Sequence, residues 1–520
     1  MELSSKIGGT TMKARTKKGI ALLLICMLAL ASLTGCGGGG DDTEARTDLN
    51  WALSAEPNSL DPMAIAMMST FTVTYAIYDN LVEANENGEY VESLAESYEI
   101  SDDEMEYTFK LRQGVKFHNG TEMTADDVVY SINRTIEKGW AADMTAAIDK
   151  VEKVDDYTVK LSLKEPFGAM IGSLASPYFS IMSKAYAEEN GEDAVERAPM
   201  GTGAYKFVEW VNGDHITVEA NEEYFGGAPA IKTVTFKPIT DKNTGLVALQ
   251  AGETDAFLNV NNSDISVVQD DENLAFYSTD IAAVLSLNMN IEAKPLDDVK
   301  VRQAINYAIN RENIIKGALE GNGTAANSSI SPTCDGYSDK VAGYTYDLDK
   351  AKALLKEAGQ ENLKLTIKIK EDAKIQKVAQ VIQADLKEAG IEVEIDIMEA
   401  GAYTTDVYSE GDYEMTISSW CAMFTDAYSL LYSQFHKDCY GGTGNITHVV
   451  SDELSGKLEN AARLTGDEKQ AAYEDVATDI SEQAYVASLV FEPTTITTNA
   501  NLKGVAADAL GIYKIKRMSW

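Results

Sequence analysis

The clearest hydrophobic pattern in the chain lies between residues 363 and 395. Leu363 to Ile369 alternates as a strand, Ile375 to Ala389 repeats apolar positions at helical spacing until Gly390, and Ile391-Glu392-Val393-Glu394-Ile395 alternates again. Strand, helix and strand at this spacing predict a βαβ unit on a parallel sheet. Leu348 to Ala358 reads as a helix ending at Gly359, and Asp298 to Ile315 as one helix with Val301, Ile305, Ala308 and Ile309 on its apolar face. Towards the N-terminus, Leu49-Asn50-Trp51-Ala52-Leu53 alternates as a strand, Glu56 to Pro62 is a turn, and a helix carries Phe71, Tyr75, Tyr78 and Leu81. Glu106 to Phe117 alternates until Gly114 and turns at His118-Asn119-Gly120-Thr121. Thr124 then caps a helix, with Asp127 three positions on and Val128, Ile132 and Ile136 as its buried stripe. Lys153 to Leu163 is a further strand, Tyr205 to Trp210 pairs with Ile216 to Ala220 as a hairpin, residues 453–487 are helical, and the last forty residues return to short strands. No internal repeat or coiled coil is visible.

The N-terminus follows a different logic. Lys13, Arg15, Lys17 and Lys18 precede an uncharged run from Gly19 to Thr34, which ends at Gly35-Cys36 and four glycines. This is the layout of a secretion signal. A membrane-spanning anchor is the alternative, but the run is at the short edge of what crosses hydrocarbon and a Gly tract follows it. Gly37 to Ala45 is a flexible tether. The 520 residues carry 44 Lys+Arg against 82 Asp+Glu, a formal charge of −38. Residues 1–35 hold five of the basic and one of the acidic groups, so the exported body is more acidic still, with 39 against 81. A nucleic-acid backbone would be repelled by such a body, which excludes that class of partner. The 45% hydrophobic content belongs to a foldable chain of two or three domains.

Catalytic chemistry is sparse. No P-loop, dinucleotide fingerprint, HExxH or GxSxG occurs, and the histidines number four: His118, His215, His436 and His448. The chain reads as a binder, not an enzyme, with no cofactor. Gly201-Thr202-Gly203 is better explained by turns needing positive φ than by phosphate binding. His436, Cys439 and His448, close in sequence, form a weak metal alternative of zinc or nickel type. Of the five cysteines, Cys26 leaves with the signal and Cys36 terminates it. Cys334, Cys421 and Cys439 allow three single disulfides, with Cys421–Cys439 preferred because it closes the shortest loop. Twenty-five Tyr, 13 Phe and 5 Trp suit a cleft for an extended or polar ligand. Trp51 and Tyr107 are core positions, whereas Trp420 sits where a strand gives way to Ala422-Met423-Phe424-Thr425-Asp426 and is a candidate ligand contact.

Several stretches together resemble the extracytoplasmic solute-binding proteins of ABC importers, the dipeptide/oligopeptide/nickel class called family 5. They are Ser59-Leu60-Asp61-Pro62, Leu94-Ala95-Glu96-Ser97, Tyr107 to Gly120, Thr124-Ala125-Asp126-Asp127-Val128, Ser131-Ile132-Asn133-Arg134, Gly201 to Tyr205, Ala251 to Asp255 and Val301 to Ile309, in family order. The export segment likewise resembles a lipoprotein signal, which implies a diacylated Cys36 as the new N-terminus and a stable membrane anchor. The resemblance implies an α/β fold: a periplasmic-binding-protein-like two-lobe clamshell of class II, with an additional subdomain on the first lobe. Lobe I would comprise 48–75, 197–285 and 488–520, the subdomain 76–196 and lobe II 286–487. The implied function is capture of a short peptide and its delivery, by a monomer, to an ABC permease with its ATPase. The alternatives are a receptor for nickel, haem or another non-peptide solute, or a surface sensor without transport. Peptide-binding members place a carboxylate for the peptide ammonium in a Trp-Cys-Ala-Asp-like run, and here that run is Trp420-Cys421-Ala422-Met423. Met423 cannot make the ion pair, and a buried ammonium without one is costly. Ser419, Trp420, Cys421 and Met423 are therefore candidate binding residues, with Asp426 and Glu56 as candidate replacement carboxylates.

Overall fold

A computed structural model describes residues 46–64, 67–85, 88–441 and 444–520, so the export signal, Cys36 and the tether lie outside the described residues. Why the body has two halves follows from its sheet. Eleven strands run in the order Ile391–Met398, Leu363–Lys370, Met415–Cys421, Leu274–Met289, Val486–Asn499, Ala256–Leu258, Asp48–Leu53, Thr233–Pro238, His215–Ala220 and Tyr205–Val211, with Thr324–Ala325 off this path on Val486–Asn499. The two central strands are the longest, at 16 and 14 residues, and they pair antiparallel with each other. Their pairing from Leu274 to Asp280 lies beside the N-terminal strands, and from Val284 to Asn288 beside Met415–Cys421. Between these parts the register slips: Asp280 faces Pro493 but Val284 faces Phe491. The extra residues of one strand and the missing N–H of Pro493 interrupt the ladder where the halves meet, and such a bulge lets a sheet bend.

Each half has its own core. Leu49, Trp51, Tyr205 and Phe236 fill one, and Leu285, Ile305, Ile367, Ile382 and Leu386 the other. A separate four-stranded antiparallel sheet, Ala95–Ile100, Glu106–Leu111, Thr158–Leu163 and Ile148–Asp155, forms an additional subdomain. Its Phe109 and Leu161 belong to the same buried cluster as Leu458, Tyr473 and Phe435 of the second half.

The βαβ unit forms as expected: Leu363–Lys370 and Ile391–Met398 pair in parallel around the helix Ala373–Glu388. The Thr124 N–H donates to Asp127 Oδ2 at 2.9 Å, completing the capping box. Other expectations need correction. Asp298–Ile315 is two helices, Val299–Ala308 and Arg311–Gly317, because the Asn310 side chain accepts from the Glu312 and Asn313 N–H groups and starts a new one. The last forty residues contain one long strand, not several short ones, since that strand must serve both halves. Gly201 and Gly203 lack positive φ, and a Cβ on either would come within 2.1 and 2.5 Å of the Ile77 carbonyl. Close backbone approach, not turn geometry, is what requires glycine there. His118 is bound into the same place, with Nε2 3.0 Å from Gly203 O, and burial lowers its pKa to about 4, leaving the ring neutral.

The expected Cys421–Cys439 disulfide is absent; Cys334, Cys421 and Cys439 are free thiols. Cys421 ends a strand, and the nine-residue helix Ala427–Phe435, about 13 Å long by its rise, then carries the chain away before Cys439.

Candidate functional site

The strand Met415–Cys421 brings its last residues to the point where the halves meet. Trp420 faces Val284, which on its other side faces Phe491. Because side chains alternate along a strand, Trp420 and Phe491 share one face of the sheet, and Ser419 and Cys421 take the other. On the Trp420 face, Tyr337 packs edge-on against Phe491 with centroids 6.1 Å apart. Trp420 is half-buried and its Nε1 donates to Ser429 O at 3.4 Å, while the Met423 N–H donates to Ser429 Oγ at 2.7 Å. Ser429 thus fixes both. The Thr425 N–H donates to Tyr90 Oη at 3.0 Å, tying this loop to residues before the additional sheet. Burial pushes the phenols of Tyr75 and Tyr90 up, so both stay protonated and able to donate.

The candidate carboxylates are already engaged. Asp426 is 4% exposed, caps the helix Ala427–Phe435 through the Tyr428 N–H, and forms an ion pair with Lys469. Burial pushes its carboxyl up, and Lys469 pulls it back. Glu56 Oε1 accepts from the Gly213 N–H and from Trp210 Nε1, each at 2.9 Å, and these bonds hold its pKa below the usual range. Both donors belong to the hairpin at the sheet's edge, and among the described residues no hydrogen bond or ion pair joins Glu56 to the Trp420 segment. The structure therefore brings Trp420 and Met423 together, leaves Ser419 and Cys421 behind the sheet, and holds Glu56 on a different element.

Behind the sheet lies a feature that the sequence reading missed. Lys374 Nζ and Glu492 Oε1 are 2.9 Å apart, and Cys421, though an exposed residue, lies close enough for both to act on its thiol, which desolvation by the surrounding protein and Glu492 push up and Lys374 pulls back. Lys374 also borders a cleft of about 550 Å³, lined by residues 240–243 and 261–263 from one half and 371–374 with Lys377 from the other. Asp241 and Asp372 spend their carboxylates on the N–H groups of Thr244 and Ile375, at the starts of their own helices. The visible trace of this in the sequence was a lysine just after an Asp cap, in Asp241-Lys242 and Asp372-Ala373-Lys374.

The structure does not gather His436, Cys439 and His448, the residues of the metal alternative, into one ligand group. His436 is buried, stacked on Tyr432 at 4.3 Å with Nε2 3.2 Å from Glu459, whereas His448 lies 3.2 Å from Glu292. Among the described residues, no group of three or more His, Cys, Asp or Glu could hold a metal ion.

Two halves joined by two strands, with a polar cleft between them and an additional subdomain, define a two-lobed solute receptor. Residues 89–442 match the bacterial extracellular solute-binding proteins, family 5 (Middle), and the chain belongs to that family. It is similar to the glutathione-binding protein GsiB of Pectobacterium atrosepticum, with 32% identity over 471 residues, 88% of this chain and 91% of that one. It is 29% identical to the dipeptide-binding protein of Escherichia coli over 549 residues, 96% and 97% of the two chains. Among solved structures, the ABC transporter-associated periplasmic binding protein DppA from Helicobacter pylori, in complex with the peptide STSA, aligns with a TM-score of 0.82 at 29% identity, covering 91% and 98%. The architecture is the class II periplasmic-binding-protein clamshell with an additional subdomain. The protein is a non-catalytic binder that works outside the cytoplasm.

Proposed function

We propose that the chain is the lipid-anchored receptor of an ABC importer, which captures a short peptide between its lobes and delivers it to a membrane permease powered by a separate ATPase. The observation that carries this is the cleft of about 550 Å³ walled by residues of both halves, within the size range of small-molecule sites. The names of the dipeptide- and glutathione-binding relatives and the peptide in the Helicobacter neighbour support a peptide over other solutes. A peptide crossing the end of the strand Met415–Cys421 would meet Trp420 and Met423 on one side and the Lys374–Glu492 pair on the other. With Met423 uncharged and Asp426 paired, its amine would be held by carbonyl and hydroxyl oxygens. We take the lobe limits at 48–75, 197–285 and 488–520 for lobe I, 76–196 for the subdomain and 286–487 for lobe II, with a lipid on Cys36 as the anchor of a monomer. Binding would favour the closed population, which couples affinity to docking on the permease.

Denaturing the full chain, purified without added ligand, should release heterogeneous peptides of a narrow length range, identified by mass spectrometry. A single non-peptide solute or a metal complex would remove the peptide while leaving the receptor. Trp420→Ala should weaken binding of the released peptides about 10- to 100-fold, as expected for an aromatic anchor that the bound ligand covers. The melting temperature of the empty protein should change little, because Trp420 is only half-buried. A strongly lowered melting temperature with unchanged affinity would make Trp420 a packing residue.

A further inference from the structure

Three lysines, Lys242, Lys374 and Lys377, and three carboxylates, Asp241, Glu371 and Asp372, line the cleft. On one wall, Lys374 is paired with Glu492 at 2.9 Å, and Lys377 lies 3.8 Å from Glu320. Lys242 faces them from the other half, at the first position of the helix Lys242–Gln250. It is half-buried, yet among the described residues it has no ion pair and no side-chain hydrogen bond. The nearby carboxylate of Asp241 is turned onto its own helix, accepting from both the N–H and the hydroxyl of Thr244. Asp372 across the cleft is likewise turned onto Ile375. Glu371 is exposed on the far wall. Burial holds Lys242 below the ordinary ammonium range; the charges of Asp372 and Glu492 oppose this, and that of Lys374 adds to it.

Lys242 and Lys374, carried by opposite lobes, thus border one cavity, and of the two only Lys374 is held in an ion pair. Bringing the lobes together desolvates Lys242, whose ammonium no carboxylate of the described residues contacts, and an anion entering with it would offset that cost. We propose that Lys242 reads an acidic group of the solute, whose carboxylate lies between Lys242 and Lys374 and serves as the counter-ion that permits closure. This rests on the peptide reading above and narrows it to peptides whose carboxylate reaches the mouth formed by residues 240–243 and 371–377. The discriminating residue is on the first lobe, so an acid-free peptide could still rest on the Trp420 segment of the second lobe without drawing the first lobe down.

The test uses the full chain and four probes: the dipeptide Ala-Glu, its isostere Ala-Gln, and the C-terminal amide of each. Calorimetry with the wild type should favour the probes that carry acid groups over their amides by about tenfold or more, the range of a charge-assisted hydrogen bond. Lys242→Met should erase most of that ratio while affinity for the doubly amidated probe stays the same. Lys242→Arg should keep the preference, which a merely structural lysine would not predict. An unchanged acid-to-amide ratio in Lys242→Met overturns the proposal. Where none of the probes binds, the solute released from the purified chain decides: an acidic non-peptide whose affinity falls in Lys242→Met sinks the peptide reading and keeps Lys242 as the acid reader, and a solute without an acidic group sinks the Lys242 assignment.

Discussion

Lys469→Met should destabilise the protein by about 3–5 kcal/mol at neutral pH, the usual loss when one partner of a buried ion pair is removed. Lys469 and Asp426 are each 4% exposed, and Lys469 is also 2.8 Å from the more exposed Asp335. Without Lys469, burial and the charge of Asp335 push the already raised pKa of Asp426 up against the Tyr428 N–H bond alone. A carboxyl whose folded pKa lies above its unfolded value binds more protons folded than unfolded in the interval between the two, so the variant's stability should fall as pH rises through that interval and recover in acid. Urea unfolding at pH 7.5 and pH 5 should therefore show a deficit that shrinks at the lower pH. Asp426→Asn combined with Lys469→Met should restore much of the loss, because Asn removes the stranded charge yet can still cap the helix through the Tyr428 N–H. A deficit below about 1 kcal/mol, independent of pH, would mean that the pair behaves as a solvated surface pair.

The same residue shows where sequence reading stops. Asp426 was visible as a carboxylate near a strand end, but its partner Lys469 lies on a helix that sequence order does not bring near. Local rules carried further: alternation, helical spacing and the Thr124–Asp127 box concern neighbours, so the βαβ unit, the hairpin of residues 205–220 and that cap were legible. The central strand was not, because Ala282 to Met289 is buried on both faces and carries no alternation. The candidate site divides in the same way. Trp420 was legible from the end of its strand pattern. The separation of Trp420 from Ser419 and Cys421 needed the sheet's pleat, and the Lys242–Lys374 cleft needed two loops from opposite halves to meet. Met423 was read as a missing counter-charge; what the fold adds is that the nearest substitute, Asp426, is already paired.

Arg134→Met should be as costly, about 3–5 kcal/mol, and for a reason written in two of the short motifs noted in the sequence. Ser59-Leu60-Asp61-Pro62 and Ser131-Ile132-Asn133-Arg134 meet in the fold: Arg134 Nη1 donates to Asp61 Oδ1 at 3.0 Å and Nη2 to Asp61 Oδ2 at 2.6 Å, with side-chain exposures of 4% and 0%. The two parallel bonds match a planar guanidinium to a carboxylate, a geometry that a lysine ammonium cannot reproduce. Asp61 Oδ1 also accepts from the Met63 N–H, so the turn after the first strand is built around this carboxylate. Arg134 lies on the helix Ala125–Lys138, which packs against the additional sheet, so the pair pins that subdomain to the first lobe. Arg134→Lys should recover only part of the stability. Asp61→Leu with Arg134→Met should cost less than Arg134→Met alone, because no charge is then left buried without a partner. Urea midpoints of the wild type and these three variants form the measurement, and a double variant no better than Arg134→Met would place the loss in packing instead of charge. Solute affinity, measured where each variant remains folded, should stay near that of the wild type, since neither residue borders the cleft between Lys242 and Lys374.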